Sequence, residues 1–129
     1  MSVPSGKRTE PKLAVLTKAR ETTIHTIRVL SNIKIFNPDV DPILIDRMKR
    51  CAYAITEKSH IANKINANLS KEDKERRLKL QTEAINLCDI LIVDIGLSKS
   101  IWHVKARKIE YWVGLVVETR KLLQGWKGK

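Results

Sequence analysis

Four stretches of this chain keep apolar residues at helical spacing, two of them at alternating gaps of three and four, and short runs of helix-breaking residues separate them. That period lines residues along one face of an α-helix, whereas a strand would alternate every second residue. The most regular stretch holds Ile45, Met48, Ala52, Ile55, Ser59 and Ala62, an a/d pattern. Asp41 is placed to cap this helix and Pro42 suits its first position, with an end expected near Asn66 to Asn68. An earlier helix, from Pro11 or Lys12 to about Ile33, carries Leu13, Leu16, Ile24, Ile27 and Leu30 with Thr23 beside them. Phe36 to Asp41 connects the two, because Pro38 and the Asx residues break a helix.

Ser70-Lys71-Glu72-Asp73 resembles a capping box with Asp in the usual place of Glu. It predicts a third helix over Lys71 to Ile95 with two adjacent stripes. One is Leu78, Gln81, Ile85, Cys88, Ile92 and Ile95; the other is Leu80, Ala84, Leu87 and Leu91. Gly96-Leu97-Ser98 is expected to turn the chain, with Gly96 as a left-handed cap and Ser98 as the N-cap of a fourth helix. That helix runs from about Lys99 to Leu123 with Ile101, Val104, Ile109, Trp112, Val113, Val116 and Leu123, and Gln124-Gly125-Trp126 closes it. Short connections make sequential helices antiparallel. The fold class expected is therefore all-α, an antiparallel up-down four-helix bundle over residues 12–126. A flexible basic tail (1–11) precedes it and a basic end (127–129) closes the chain. A helix apolar on two sides needs a second cover, so Leu80, Ala84, Leu87 and Leu91 are expected to meet another subunit.

Composition excludes several alternatives. The 129 residues suit one domain. With 5 Gly and 4 Pro, an all-β chain would lack its tight turns. No apolar run approaches the ~18–20 residues needed to span a bilayer, so no membrane association is expected. No apolar signal segment opens the chain, and Cys51 and Cys88 lack close metal-ligand spacing, so a reduced, cytoplasmic protein is expected.

Lys and Arg number 25 against 14 Asp and Glu, a formal charge of +11. The excess is uneven: net +5 over residues 1–34, zero over 35–95 and +6 over 96–129. A basic excess of this kind favours an anionic partner, RNA or DNA. In an up-down bundle the first helix lies beside the fourth. Lys18, Arg20 and Arg28 on one, with Lys105, Arg107, Lys108, Arg120 and Lys121 on the other, then form a basic surface able to neutralise phosphates. Trp102 and Tyr111 are candidates for base stacking, while Trp112 and Trp126 fit core spacing.

Catalytic and metal chemistry find little support in the residues. Glu57-Lys58-Ser59-His60 holds a Glu-x-x-His pair, but a carboxylate-bridged two-metal site needs two such pairs and two further Glu. Asp94-Ile95-Gly96-Leu97-Ser98-Lys99-Ser100 after Ile90-Leu91-Ile92-Val93 could pass for a strand and phosphate loop. No other strand-helix unit accompanies it, so a helix end is expected. His25, His60 and His103 fall on three different predicted helices, and nothing local marks a nucleophile. No enzyme activity, metal or cofactor is expected.

Lys74-Glu75-Arg76-Arg77-Leu78, the long apolar helix after it, Gly96-Leu97-Ser98 and the ending Leu122-Leu123-Gln124-Gly125-Trp126 resemble the Avd family. Avd is the accessory variability determinant of diversity-generating retroelements. That family is related to the four-helix proteins encoded in ribosomal RNA intervening sequences. The resemblance covers about residues 42–129. It implies a basic bundle assembling as a pentamer that binds the element's reverse transcriptase and nucleic acid and supports mutagenic copying of a template RNA. The chain departs from the family pattern in its Ile-rich core, its early Trp102-His103 and its longer polar N-terminal segment.

Overall fold

A computed structural model describes residues 10–66, 68 and 70–129; of the expected tail, residues 1–9 lie outside these. Four helices form: α1 (Glu10–Leu30), α2 (Pro42–Lys64), α3 (Lys71–Ile101) and α4 (Ala106–Trp126). Each packs against two neighbours, α1 on α2 and α4, and α3 on α2 and α4. Side-chain pairs give the directions. Along α1, Thr22 meets Thr119 of α4 at 2.8 Å, while four residues further on Thr26 meets Trp112 at 2.8 Å. Between α2 and α3, Arg47 reaches Asp94 and Lys58 reaches Glu83. Between α3 and α4, Gln81 reaches Trp126 and Asp89 reaches Arg120. Numbers rise on one helix as they fall on the next, so the chain is an antiparallel up-down four-helix bundle.

Local chemistry sets the starts of α2 and α3. Asp41 accepts from the Leu44 N–H at 2.9 Å, with Pro42 opening α2. Ser70 accepts from the Asp73 N–H at 3.0 Å, and Glu72 and Asp73 sit in the first turn of α3. Side-chain caps satisfy orphan donors, and acids complement the positive end of the helix dipole.

The break after α3 is displaced from where Gly96 predicts it. Gly96 and Ser98 lie inside the helix, and Ser98 donates to the Ile95 carbonyl at 2.7 Å instead of capping α4. A helical glycine costs only about 1 kcal/mol. Here Leu91, Asp94, Ile95 and Ser98 are all buried on one continuous face, which favours carrying the helix through. The chain turns instead at Trp102 and His103, the latter left-handed at φ 54°, a region histidine adopts more readily than most residues. Accordingly α4 starts at Ala106, not Lys99.

The face of α1 also differs from expectation. Leu13 and Ile24 are exposed, and the helix buries Val15, Ala19, Thr22, Thr23, Thr26 and Leu30. Hydroxyls explain the rotation. Thr23 meets Thr56 at 2.7 Å and donates to the Ala52 carbonyl at 2.6 Å. Thr22 and Thr26 bond across to α4. Small side chains admit close approach, and every buried hydroxyl on this face has a partner. The α2 stripe holds throughout: Ile45, Met48, Ala52, Ile55, Ser59 and Ala62 are all buried, as are Trp112 and Trp126, whereas Leu78 and Ile101 of the later stripes are exposed.

Of the stripe expected to meet another subunit, two residues are buried within the chain and two are buried in part. Ala84 and Leu91 are fully buried, and Leu80 and Leu87 pack against the core. α3 packs on α2 and α4. Its most outward apolar residues are Ile90, Val93 and Leu97, with Leu78 and Ile101 exposed near its ends. At the C-terminus Arg77 lies over the Trp126 ring at 4.9 Å and donates to the carbonyls of Ala62, Ile65 and Lys129. The Gly128 N–H donates to the Gln81 side chain at 3.0 Å, so the basic end is tied to α3.

Candidate nucleic-acid interface

The predicted cations do not form one continuous face. Lys18 pairs with Glu21 at 3.0 Å. The hydrogen bond and charge of Glu21 raise its pKa. Arg120 points toward α3 and pairs with Asp89 at 2.6 Å, which likewise raises its pKa. Arg20 lies three residues before Thr23, whose hydroxyl faces α2; at helical spacing that puts Arg20 on the α2 flank, away from α4. Lys121 is exposed in the last turns of α4.

Four cations share one end of the bundle. Antiparallel packing brings the last turns of α1 to the first turns of α4; Arg28 and Lys108 line one cleft there, and Lys105 and Arg107 stand at the start of α4. All four are exposed. Among the described residues, no Asp or Glu stands within ion-pair distance of them. Lys105 leads into α4 without a side-chain cap, and no acid occupies the first turn. The positive end of the helix dipole therefore adds to these cations, against the one carboxylate of Glu110 in the following turn of α4.

Arg28 and Lys108 also line a cleft of about 280 Å³, with His25, Val29, Asn32, Ile35, Phe36 and Val104. Its wall is the connection after α1. Phe36 is buried there, edge-on to Trp102 at 5.6 Å and to Trp112 at 6.1 Å. Trp102 Nε1 donates to the Asn37 carbonyl at 2.9 Å, and the Phe36 N–H donates to the Asn32 carbonyl at 2.8 Å. His25 stands edge-on to Tyr111 at 4.8 Å; burial, then the charge of Arg28, lowers its pKa below 6.5. Tyr111 is the aromatic most open to solvent at this end. Sequence spacing missed Asn32 and Phe36, because the path of residues 31–36 has no periodicity, and it took His25 only as one of three separate histidines.

The other candidates stay apart. Glu57 and His60 are not brought together with further ligands: among the described residues, no three of His, Cys, Asp or Glu gather in a way that would hold a metal. Cys51 and Cys88 are buried thiols, pushed up by burial to about 11 and about 12, which keeps them protonated and poorly nucleophilic. Among the described residues, no helix is long and apolar enough to cross a membrane. No family model matches the chain, and no curated protein or solved structure matches it significantly.

Proposed function

We propose that this chain is a non-enzymatic nucleic-acid-binding bundle that docks RNA or DNA at the α1–α4 end. The observation that carries this is the group of Arg28, Lys105, Arg107 and Lys108, four cations without carboxylate partners among the described residues, around an uncapped helix start. Backbone neutralisation by such a group is sequence-independent and strongly salt-dependent. The resemblance to Avd makes the role more specific. The chain acts as an accessory protein of a diversity-generating retroelement, in the cytoplasm, as a homo-oligomer of five. It bridges the element's reverse transcriptase to template RNA and cDNA during mutagenic retrohoming. Support for that part lies in the bundle, the basic excess and the Arg77–Trp126 contact, which joins two of the segments that carry the resemblance. Co-purification with a reverse transcriptase encoded next to the gene tests it; absence of such a gene or of such a complex refutes the retroelement role.

A second reading is favoured by a separate observation. Ile90, Val93 and Leu97 are exposed along α3, and Ile43 and Ile61 along α2. Exposed apolar patches mark protein contacts, as expected of an interaction bundle of the intervening-sequence type with no nucleic-acid role. Retention of RNA at ~0.15 M salt, where weak unspecific attraction is largely screened, separates the two: no retention selects the interaction bundle.

A further inference from the structure

The cleft between α1, the connection after it and the start of α4 has a chemistry that charge alone does not require. Val29, Ile35, Phe36 and Val104 make its lining largely apolar, while Arg28 and Lys108 bring positive charge to the same space. A surface that only neutralised phosphates would need no apolar recess. At about 280 Å³ it sits at the small end of ligand pockets, which run from ~300 Å³ upward, room for one ring system. Two groups can read the edge of such a ring. Asn32 Oδ1 accepts from the Lys34 N–H at 3.2 Å, leaving its amide NH₂ to donate. His25 in its neutral form has one ring nitrogen to donate and one to accept. The wall is preset, because Phe36 is buried against Trp102 and Trp112.

We propose that this cleft takes one unstacked base of a single-stranded nucleic acid, with the flanking phosphates on Arg28 and Lys108. The inference rests on the nucleic-acid reading above and adds a strand preference to it. A paired base cannot enter a one-ring recess without leaving its helix, whereas single strands splay their bases readily. The apolar lining takes the faces of the base, Asn32 and His25 take its edge, and the two cations hold the backbone on either side.

The test is fluorescence anisotropy with the full chain at ~0.15 M salt and three labelled probes: a single-stranded RNA, the same-length abasic strand, and the RNA as a duplex. All three carry a phosphate backbone; only the first offers free bases. The single strand is expected to bind about tenfold more tightly than the abasic strand, the worth of one well-buried base. Val29→Phe fills the recess and is expected to bring the two affinities together without weakening the abasic probe. Asn32→Leu at the exposed rim is expected to cut the preference, and serves if Val29→Phe fails to fold by circular dichroism. Binding of no probe refutes nucleic-acid binding itself. Equal binding of all three, or a base preference that survives both variants, overturns the cleft and leaves the surface intact. Binding of a free nucleoside monophosphate without the base preference overturns the strand assignment.

Discussion

Replacing Arg28, Lys105, Arg107 and Lys108 together by alanine tests the interface most directly. Each of the four is exposed and, among the described residues, lacks a carboxylate partner, so each is free to displace a counterion from a phosphate. On a single strand each phosphate contact adds about 0.7 to the slope of log affinity against log salt, so losing four lowers the slope by about 2.8. Over a rise from about 50 to about 200 mM salt, the parent then loses about 50-fold more affinity than the variant does. The informative control removes the same charge elsewhere: Lys64, Lys71, Lys74 and Lys79 by alanine, at the opposite end of the bundle where α2 ends and α3 begins. Anisotropy titrations at four salt concentrations measure all three slopes. A flattened slope in the first variant alone supports the interface. An equal flattening in the control means that total charge acts, not a site, and refutes the assignment. A Lys18→Ala, Arg120→Ala variant should change the slope by less than the four-residue variant does, because both side chains are engaged by Glu21 and Asp89.

The core and the cleft support three further predictions. Trp112→Phe removes the 2.8 Å bond from Nε1 to Thr26 and part of a fully buried ring; urea unfolding should show a loss of about 2–4 kcal/mol, and a loss under about 1 would mean that the bond and packing matter little. Arg47→Ala leaves the buried Asp94 carboxylate without the two bonds, at 2.9 and 2.6 Å, that hold it; the melting temperature should fall, and adding Asp94→Asn should restore part of it. A double variant less stable than Arg47→Ala would refute that origin. His25 has a folded pKa below 6.5, from burial first and Arg28 second, so the unfolded chain binds its proton more readily. Its contribution is whole above pH 6.5, declines as pH falls through 6.5, and stops changing below the depressed folded value. The stability difference between the parent and His25→Gln should vary with pH in that window alone; a flat difference refutes the shift.

How far the sequence carries can be seen helix by helix. α2 is legible throughout, because Asp41 and Pro42 mark its start and one unbroken stripe faces the core. α1 is legible as a helix but not in its rotation. Hydropathy assigns Leu13 and Ile24 to the core, yet the partners available to Thr22, Thr23 and Thr26 across two interfaces outweigh two leucine-sized side chains left in water. Gly96 misplaces the next turn for a related reason: a local breaker says nothing of the buried face of Leu91, Ile95 and Ser98 that runs past it. The second stripe of α3 marks burial at Ala84 and Leu91 and leaves its cover open. Periodicity shows that Ala84 and Leu91 need a partner and says nothing of whether that partner is another helix or another chain.

The charge behaves the same way. Counted by segment, it predicts a side of the bundle, because the two basic segments fall on adjacent helices. Antiparallel packing changes that prediction. Residues in register across α1 and α4 are those whose numbers sum to a near-constant value, as Thr22 with Thr119 and Thr26 with Trp112 do. Arg28 therefore lies level with the second turn of α4 and shares a cleft with Lys108, while Lys18 lies level with the far half of that helix. Rotation about each helix then turns Arg20 and Arg120 toward other neighbours, and local acids engage Lys18 and Arg120. Register selects, rotation removes and pairing neutralises, so a basic side contracts to a basic end. That end also holds the uncapped start of α4 and the apolar cleft, and three independent features favourable to a nucleotide converge where the eight predicted cations reduce to four.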